Sequence, residues 1–142
     1  MDRIRPLGPA ELRGDAFRHL LWLAAELDDD ELSRIAREEL PALTVLGARE
    51  EGRVVAFAAF DERTRPVTIE YIAVDEGAQS RGWGTALVHA VRERAGERGV
   101  RAETDDDAVG FYRRLGFEIV AAEADPRWPG RARYDCVLGQ RP

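Results

Sequence analysis

The stretch GAQSRGWGTAL, residues 77–87, joins the β-prone run VTIEYIAV (67–74) to a run with Leu87, Val88, Val91 and Ala95 at helical spacing. It contains three glycines, one arginine and no lysine. Three chemistries place a permissive loop between a strand and a helix. A dinucleotide fingerprint needs G-x-G-x-x-G/A, but Gly82-Trp83-Gly84 has Leu87 in the third place, and the turn comes eight residues after Val74. A Walker loop needs a lysine, and all 21 basic residues of the chain are arginine. The third chemistry asks only for small residues, free backbone N–H groups and a helix N-terminus aimed at an anion. Thr85 adds a hydroxyl to such a cradle and Arg81 a bidentate charge. The competing reading is an ordinary glycine turn that caps a helix.

Working outward, residues 11–27 carry Phe17, Leu20, Leu21, Ala24 and Leu27 at helical spacing. A second helix opens on Asp28-Asp29-Asp30-Glu31, buries Leu32, Ile35, Ala36 and Leu40, and stops at Pro41. TVLGAR (44–49) and RVVAFAAF (53–60) form a hairpin around Glu50-Glu51-Gly52. The helix after the glycine stretch ends near Gly99, and VRAET (100–104) follows as a strand. Asp105 to Asp107 supply N-cap candidates for a helix with Ala108, Phe111, Tyr112 and Leu115 on its apolar face, closed by Gly116. FEIVAA (117–122) and ARYDCVL (132–138) are the last strands, and Arg3 to Leu7 is a candidate first one. This order is that of an α/β protein with a mixed sheet, read as one domain over residues 1–142.

The bulk numbers narrow the function. The 44% apolar and 34% charged content is that of a globular chain large enough to bury a core. A net charge of −6 argues against nucleic acid as a partner. No apolar run suits a membrane span, and MDRIRPLGPAEL has no signal-peptide core, so a cytoplasmic location is expected. Cys136 is the single cysteine, and His19 and His89 show no ligand spacing, so no metal site is expected. The absence of lysine excludes Schiff-base chemistry.

Two motifs in order then carry a resemblance. Gln79-Ser80-Arg81-Gly82-Trp83-Gly84 matches Q/R-x-x-G-x-G/A, and Ala108, Phe111-Tyr112 and Leu115-Gly116-Phe117 match A-x-x-F-Y-x-x-L-G-F. Together they resemble the GNAT superfamily of N-acetyltransferases, strongly over residues 67–117 and by element order elsewhere. The resemblance implies a mixed, mostly antiparallel central sheet with helices on both faces. It also implies acetyl-CoA as co-substrate, with Gln79, Ser80, Arg81, Gly82, Trp83, Gly84 and Thr85 around the pyrophosphate. Ile72, Ala73 and Val74 are expected along the pantetheine arm, and Asp105, Phe111 and Tyr112 beside the cofactor. Family members commonly have Pro and Asn where this chain has Glu76 and Asp105, which bears on the loop's approach and on a side-chain contact.

The chemistry implied is direct transfer of an acetyl group to a primary amine of a small molecule or peptide. Tyr112 is the expected acid for the leaving thiolate; its alternative is a core tyrosine. An amine of pKa near 10.4 is neutral about once in a few thousand molecules at pH 7, so a base is needed. Glu70 is the candidate, placed by strand alternation on the face of Thr68 and Ile72, with Glu103 and Asp105 in reserve. Its alternative is a rim glutamate paired with an arginine. Residues 26–39 hold seven acids against two arginines, a rim that favours a cationic acceptor or is simply a solvated face. Trp83 either covers the pantetheine or packs beneath the loop, and Trp128 either lines the acceptor pocket or plugs it. Many GNAT proteins are dimers, so a homodimer is compatible. The rival to an enzyme is a regulatory module that binds acyl-CoA without turnover.

Overall fold

The computed structural model describes residues 3–139. Seven strands form one sheet in the order β1-β2-β3-β4-β5-β7-β6: β1 Arg5–Pro6, β2 Thr44–Glu50, β3 Arg53–Asp61, β4 Val67–Val74, β5 Val100–Asp105, β6 Glu118–Ala122 and β7 Arg133–Leu138. Every neighbouring pair is antiparallel except β4 and β5. The β2–β3 turn has Glu51 and Gly52 both at positive φ, the conformation that a two-residue hairpin demands.

The helical run expected over 11–27 is divided into α1 (Pro9–Leu12) and α2 (Asp15–Ala25). Gly14 is extended (φ −82°, ψ 161°) and caps α2, so the chain turns there rather than continuing. α3 (Asp29–Arg34) begins as expected, with the Asp28 carboxylate accepting from Glu31 N at 2.9 Å. It then widens into a π-helical turn, Ile35–Glu39, and closes with a 3₁₀ turn, Leu40–Ala42. α4 runs Trp83–Ala95 and α5 runs Val109–Arg114. Gly96 stops α4 short of Gly99, and Gly116 (φ +92°) closes α5.

Two apolar layers sandwich the sheet. Phe17, Leu20, Leu21, Leu32 and Ile35 of the α2–α3 layer pack on Phe57, Ala59 and Tyr71. On the other face, Trp83, Leu87, Val88 and Val91 of α4, with Tyr112 of α5, pack on Ala58, Phe60, Ile69 and Cys136. Each large side chain so buried contributes about 1.5–3 kcal/mol. The alternation that places these residues is interrupted at one site of consequence. β3 and β4 pair Ala59 with Tyr71 and Phe60 with Ile69, leaving Glu70 as an extra residue without a partner. This bulge twists β4. Its parallel pairing with β5 stops at Val67–Val100, Thr68–Arg101 and Ile69–Ala102, and beyond Ile69 the two strands run on unpaired.

Candidate active site

The parting of β4 and β5 opens a cleft of about 700 Å³. Its walls come from both sides of the sheet. On the α4–α5 side they include Ile72, Val74, Gln79, Ser80, Gly82, Trp83, Gly84, Thr85, Phe111, Tyr112 and Arg114; on the α2 side they include Glu26, Glu70, Glu103 and Trp128.

At one end stands the N-terminus of α4. Gly82 is left-handed (φ +83°), as is Ser80 (φ +67°), and no side chain caps the helix. The first intrahelical bond here is Ala86 N to Gly82 O at 3.0 Å, so the N–H groups of the first turn lack intrahelical acceptors. A thirteen-residue helix presents them with its positive end. Gly84 is required for packing, because a β-carbon there would crowd the Phe111 ring at 3.2 Å. A chain of this shape fits a pyrophosphate.

Two loop side chains behave otherwise than a phosphate site suggests. The guanidinium of Arg81 is ion-paired with Glu50 of β2 and does not line the cleft, so the expected bidentate charge is directed away. Trp83 packs beneath the loop: its side chain is 4% exposed, Nε1 donates to Glu50 Oε2 at 2.8 Å, and Arg3 lies over the ring at 4.0 Å. Glu50 thus ties the loop's underside to the hairpin. Gln79 turns back and donates from Nε2 to the Val74 carbonyl at 3.3 Å. Glu76, which begins a 3₁₀ turn, meets His19 of α2 (Nε2–Oε1 2.7 Å). With Asp75 these ligand atoms lie within 4.8 Å of one another, a grouping that no local spacing foretold.

Tyr112 lies on the inner face of α5 at 3% exposure, its ring edge-on to Phe111 (5.1 Å) and Phe117 (5.2 Å). Its hydroxyl makes no hydrogen bond among the described residues and borders the cleft. Burial pushes the phenol well above its ordinary pKa. Protonated throughout the neutral range, it can donate.

Glu70 also borders the cleft, although not as alternation placed it. Ile72 packs with Val67 and Ile69 on the α4 layer, while Glu70 is the bulged residue; the shared face predicted for Glu70 and Ile72 fails at the bulge. Its pKa is raised, first by desolvation between the cleft walls and then by repulsion from Glu39, with Arg127 and Arg101 opposing. A carboxylate whose pKa is raised is a better base than a free one. Glu39 sits at the end of the π-helical turn and accepts from Tyr71 Oη at 2.7 Å and Arg34 Nη2 at 2.8 Å.

Asp105 serves its own turn. Oδ1 accepts from Asp107 N (3.0 Å) and Ala108 N (3.3 Å), and Oδ2 meets Arg131. α5 itself starts at Val109 with no side-chain cap, so the capping expected of Asp105 to Asp107 acts one turn early. Glu103 is held by Arg101 and Arg133, each at 3.4 Å. Of the acids in 26–39, only Glu26 borders the cleft, and it is paired with Arg131.

The family model for acetyltransferases of the GNAT family matches residues 14–117. The chain belongs to the GNAT acetyltransferase family. A search of curated proteins finds no match. The GNAT fold recurs in solved structures of low identity. One is the ribosomal-protein-S18-alanine N-acetyltransferase of Escherichia coli, with 21% identity and TM-score 0.77 over 100% of this chain and 96% of that one. An aminoglycoside 6'-N-acetyltransferase complexed with coenzyme A has 16% identity and TM-score 0.74, covering 98% of each chain. A GNAT acetyltransferase from Elizabethkingia anophelis with acetyl-CoA bound has 18% identity and TM-score 0.69 over 97% of this chain and 100% of that one. Among the described residues, no helix of this GNAT protein is long and apolar enough to cross a membrane.

Tyr71, Glu39, Leu23 and Arg133 are among the residues around this cleft that the sequence did not mark. Trp128, left open between two places, lines it, with Nε1 donating to the Ala25 carbonyl at 2.8 Å.

Proposed function

We propose that this GNAT protein is an acetyl-CoA-dependent N-acetyltransferase that moves an acetyl group directly to a primary amine. The reading rests on one observation: the uncapped α4 N-terminus, the unpaired edge of β4 and the Tyr112 hydroxyl all face one cleft. The coenzyme-bound relatives support the choice of co-substrate.

Acetyl-CoA would supply an activated thioester. The N–H groups at Gly82 to Thr85 would hold its pyrophosphate, and the free edge at Ile72 to Val74 would align the pantetheine arm. Tyr112 would donate its proton to the departing sulfur; with burial holding the phenol above its ordinary 10 against a thiol near 8.5, the donation is uphill and depends on proximity. Glu70 would take the ammonium proton, directly or through water, from the α2 side of the sheet. Arg81, paired with Glu50, would brace the loop from below, and Trp83, bonded to the same Glu50, would hold the loop at the cleft wall.

The test is a thermal-melt titration with acetyl-CoA beside NAD and ATP, followed by thiol release over an amine panel. Ligand at about 100 Kd adds roughly 2.7 kcal/mol, a rise of several degrees for a domain of this size. A rise with acetyl-CoA and amine-dependent release of CoA support the enzyme. A rise without release from any amine favours the binding module, and no rise removes both.

A further inference from the structure

Among the described residues, Arg133 is the one charged side chain that is buried, with 9% exposure. It also lines the cleft. Burying a guanidinium is costly unless its donors are met. Here they are met poorly. Nε approaches Glu103 Oε1 at 3.4 Å, a long contact, and the two Nη groups have no hydrogen-bond acceptor among the described residues. Neither is sealed from solvent, and the residue lines the cleft.

The setting holds that fork in place. Arg133 lies 4.6 Å from the centre of the Trp128 ring, which Arg127 also contacts at 4.3 Å. Trp128 is anchored to the end of α2 through the Ala25 carbonyl. Neighbouring arginines are committed: Arg127 to Asp125, Arg131 to Glu26 and Asp105, and Arg101 to Asp135. Register places Arg133 beside Asp105 and on the sheet face of Glu103, the same side as Glu70 and α2. That is the side opposite Tyr112.

We infer that Arg133 is a specificity-determining residue that binds a carboxylate of the acceptor, so that the amine is presented to Glu70 by a small molecule carrying both groups. The inference rests on the acetyl-transfer reading above and narrows its acceptor class. A planar fork of two free Nη donors matches a carboxylate in bidentate fashion. Glu103 contacts it and Glu70 lines the same cleft, with the opposite charge that the ammonium needs. A zwitterionic acceptor meets both, whereas a polycation leaves the fork unmatched.

The experiment compares amino acids with their carboxamides, decarboxylated amines and matched aminophosphonates, reading kcat/KM by thiol release and binding by thermal melt with and without CoA. The free acids should be favoured by about tenfold or more over their amides, with the difference carried in KM. In Arg133→Met that preference should fall to about twofold, and Arg133→Lys should restore part of it while leaving acetyl-CoA affinity unchanged. Wild type alone decides the matter if the variants do not fold. Equal or better use of the amides overturns the assignment, as does preference for the phosphonate. Acetyl-CoA binding with neither turnover nor a carboxylate-dependent melt shift also overturns it, while leaving the co-substrate reading intact. Absence of acetyl-CoA binding sinks the function reading; a carboxylate shift that Arg133→Met abolishes would still uphold the site.

Discussion

Gly84 at the start of α4 and Phe111 of α5 meet so closely that a β-carbon on Gly84 would stand 3.2 Å from Cε1 and 3.3 Å from Cζ of the ring. The two helices that flank the proposed cofactor cradle are therefore in register through a missing methyl group. Phe111 in turn packs edge-on against Tyr112. Gly84→Ala must push the ring or the helix by a few tenths of an ångström. The expected result is a loss of about 1 kcal/mol in stability. Acetyl-CoA affinity should fall roughly fivefold, a proportion that follows from disturbing the cradle by about the same energy. Calorimetric titration beside a thermal melt checks both.

Tyr112→Phe removes one hydroxyl and keeps the packing. Because that hydroxyl has no hydrogen-bond partner among the described residues, stability should change by less than about 0.5 kcal/mol. The rate of acetyl transfer should fall about a hundredfold with acetyl-CoA affinity unchanged. The raised phenol pKa also fixes a sign: Tyr112 stays protonated beyond its ordinary range, so its ionisation produces no alkaline loss of rate below about pH 10. Steady-state rates against pH, in wild type and variant, report both effects. An unchanged rate in the variant would make Tyr112 a core residue only.

The N-terminal segment offers a test of linkage away from the cleft. Arg49 donates to Glu11 through Nε (2.6 Å) and Nη2 (2.5 Å), and Gly8 N donates to the same carboxylate at 2.9 Å. With these donors, foremost Arg49, the Glu11 pKa falls to about 2 from 4.5. A depressed carboxylate stabilises the fold above its unfolded pKa, and that contribution is lost as pH falls from about 4.5 toward 2. Partial solvent access limits it to about 1 kcal/mol. Urea melts at pH 7 and pH 3 should show Glu11→Gln less stable than wild type at the higher pH, with the gap narrowing at the lower.

How far the fold was legible depends on the range of the signal involved. The hairpin at Glu51-Gly52 and the close of α5 at Gly116 are written locally, because positive φ limits the residue choice. The left-handed turn at Gly82 was legible for the same reason, whereas the need for Gly84 comes from its contact with Phe111. The bulge at Glu70 is not local: it is a mismatch between β3 and β4, and one extra residue transfers every later side chain to the other face. The direction of the Arg81 charge and the place of Trp83 were not legible, since their shared partner, Glu50, is more than thirty residues away. Arg133 reads as an ordinary polar strand residue until the loop bearing Trp128 folds back to Ala25 across 103 residues.

Glu70 and Glu39 make the sharpest pH prediction. Desolvation raises the Glu70 pKa first, and repulsion from Glu39 raises it further. If the ionised form takes the ammonium proton, kcat/KM falls as pH drops through that raised value, so the acid limb of wild type lies above that of an unperturbed glutamate. Glu70→Gln should remove the limb and lower kcat by about a hundredfold. Glu39→Gln keeps the base but removes the negative neighbour, so the limb should move to lower pH with the plateau rate within about twofold. Its amide oxygen can still accept from Tyr71. A limb unmoved in Glu39→Gln and still present in Glu70→Gln would assign the titration to another group, and Glu70 would then be a rim residue of the bulge.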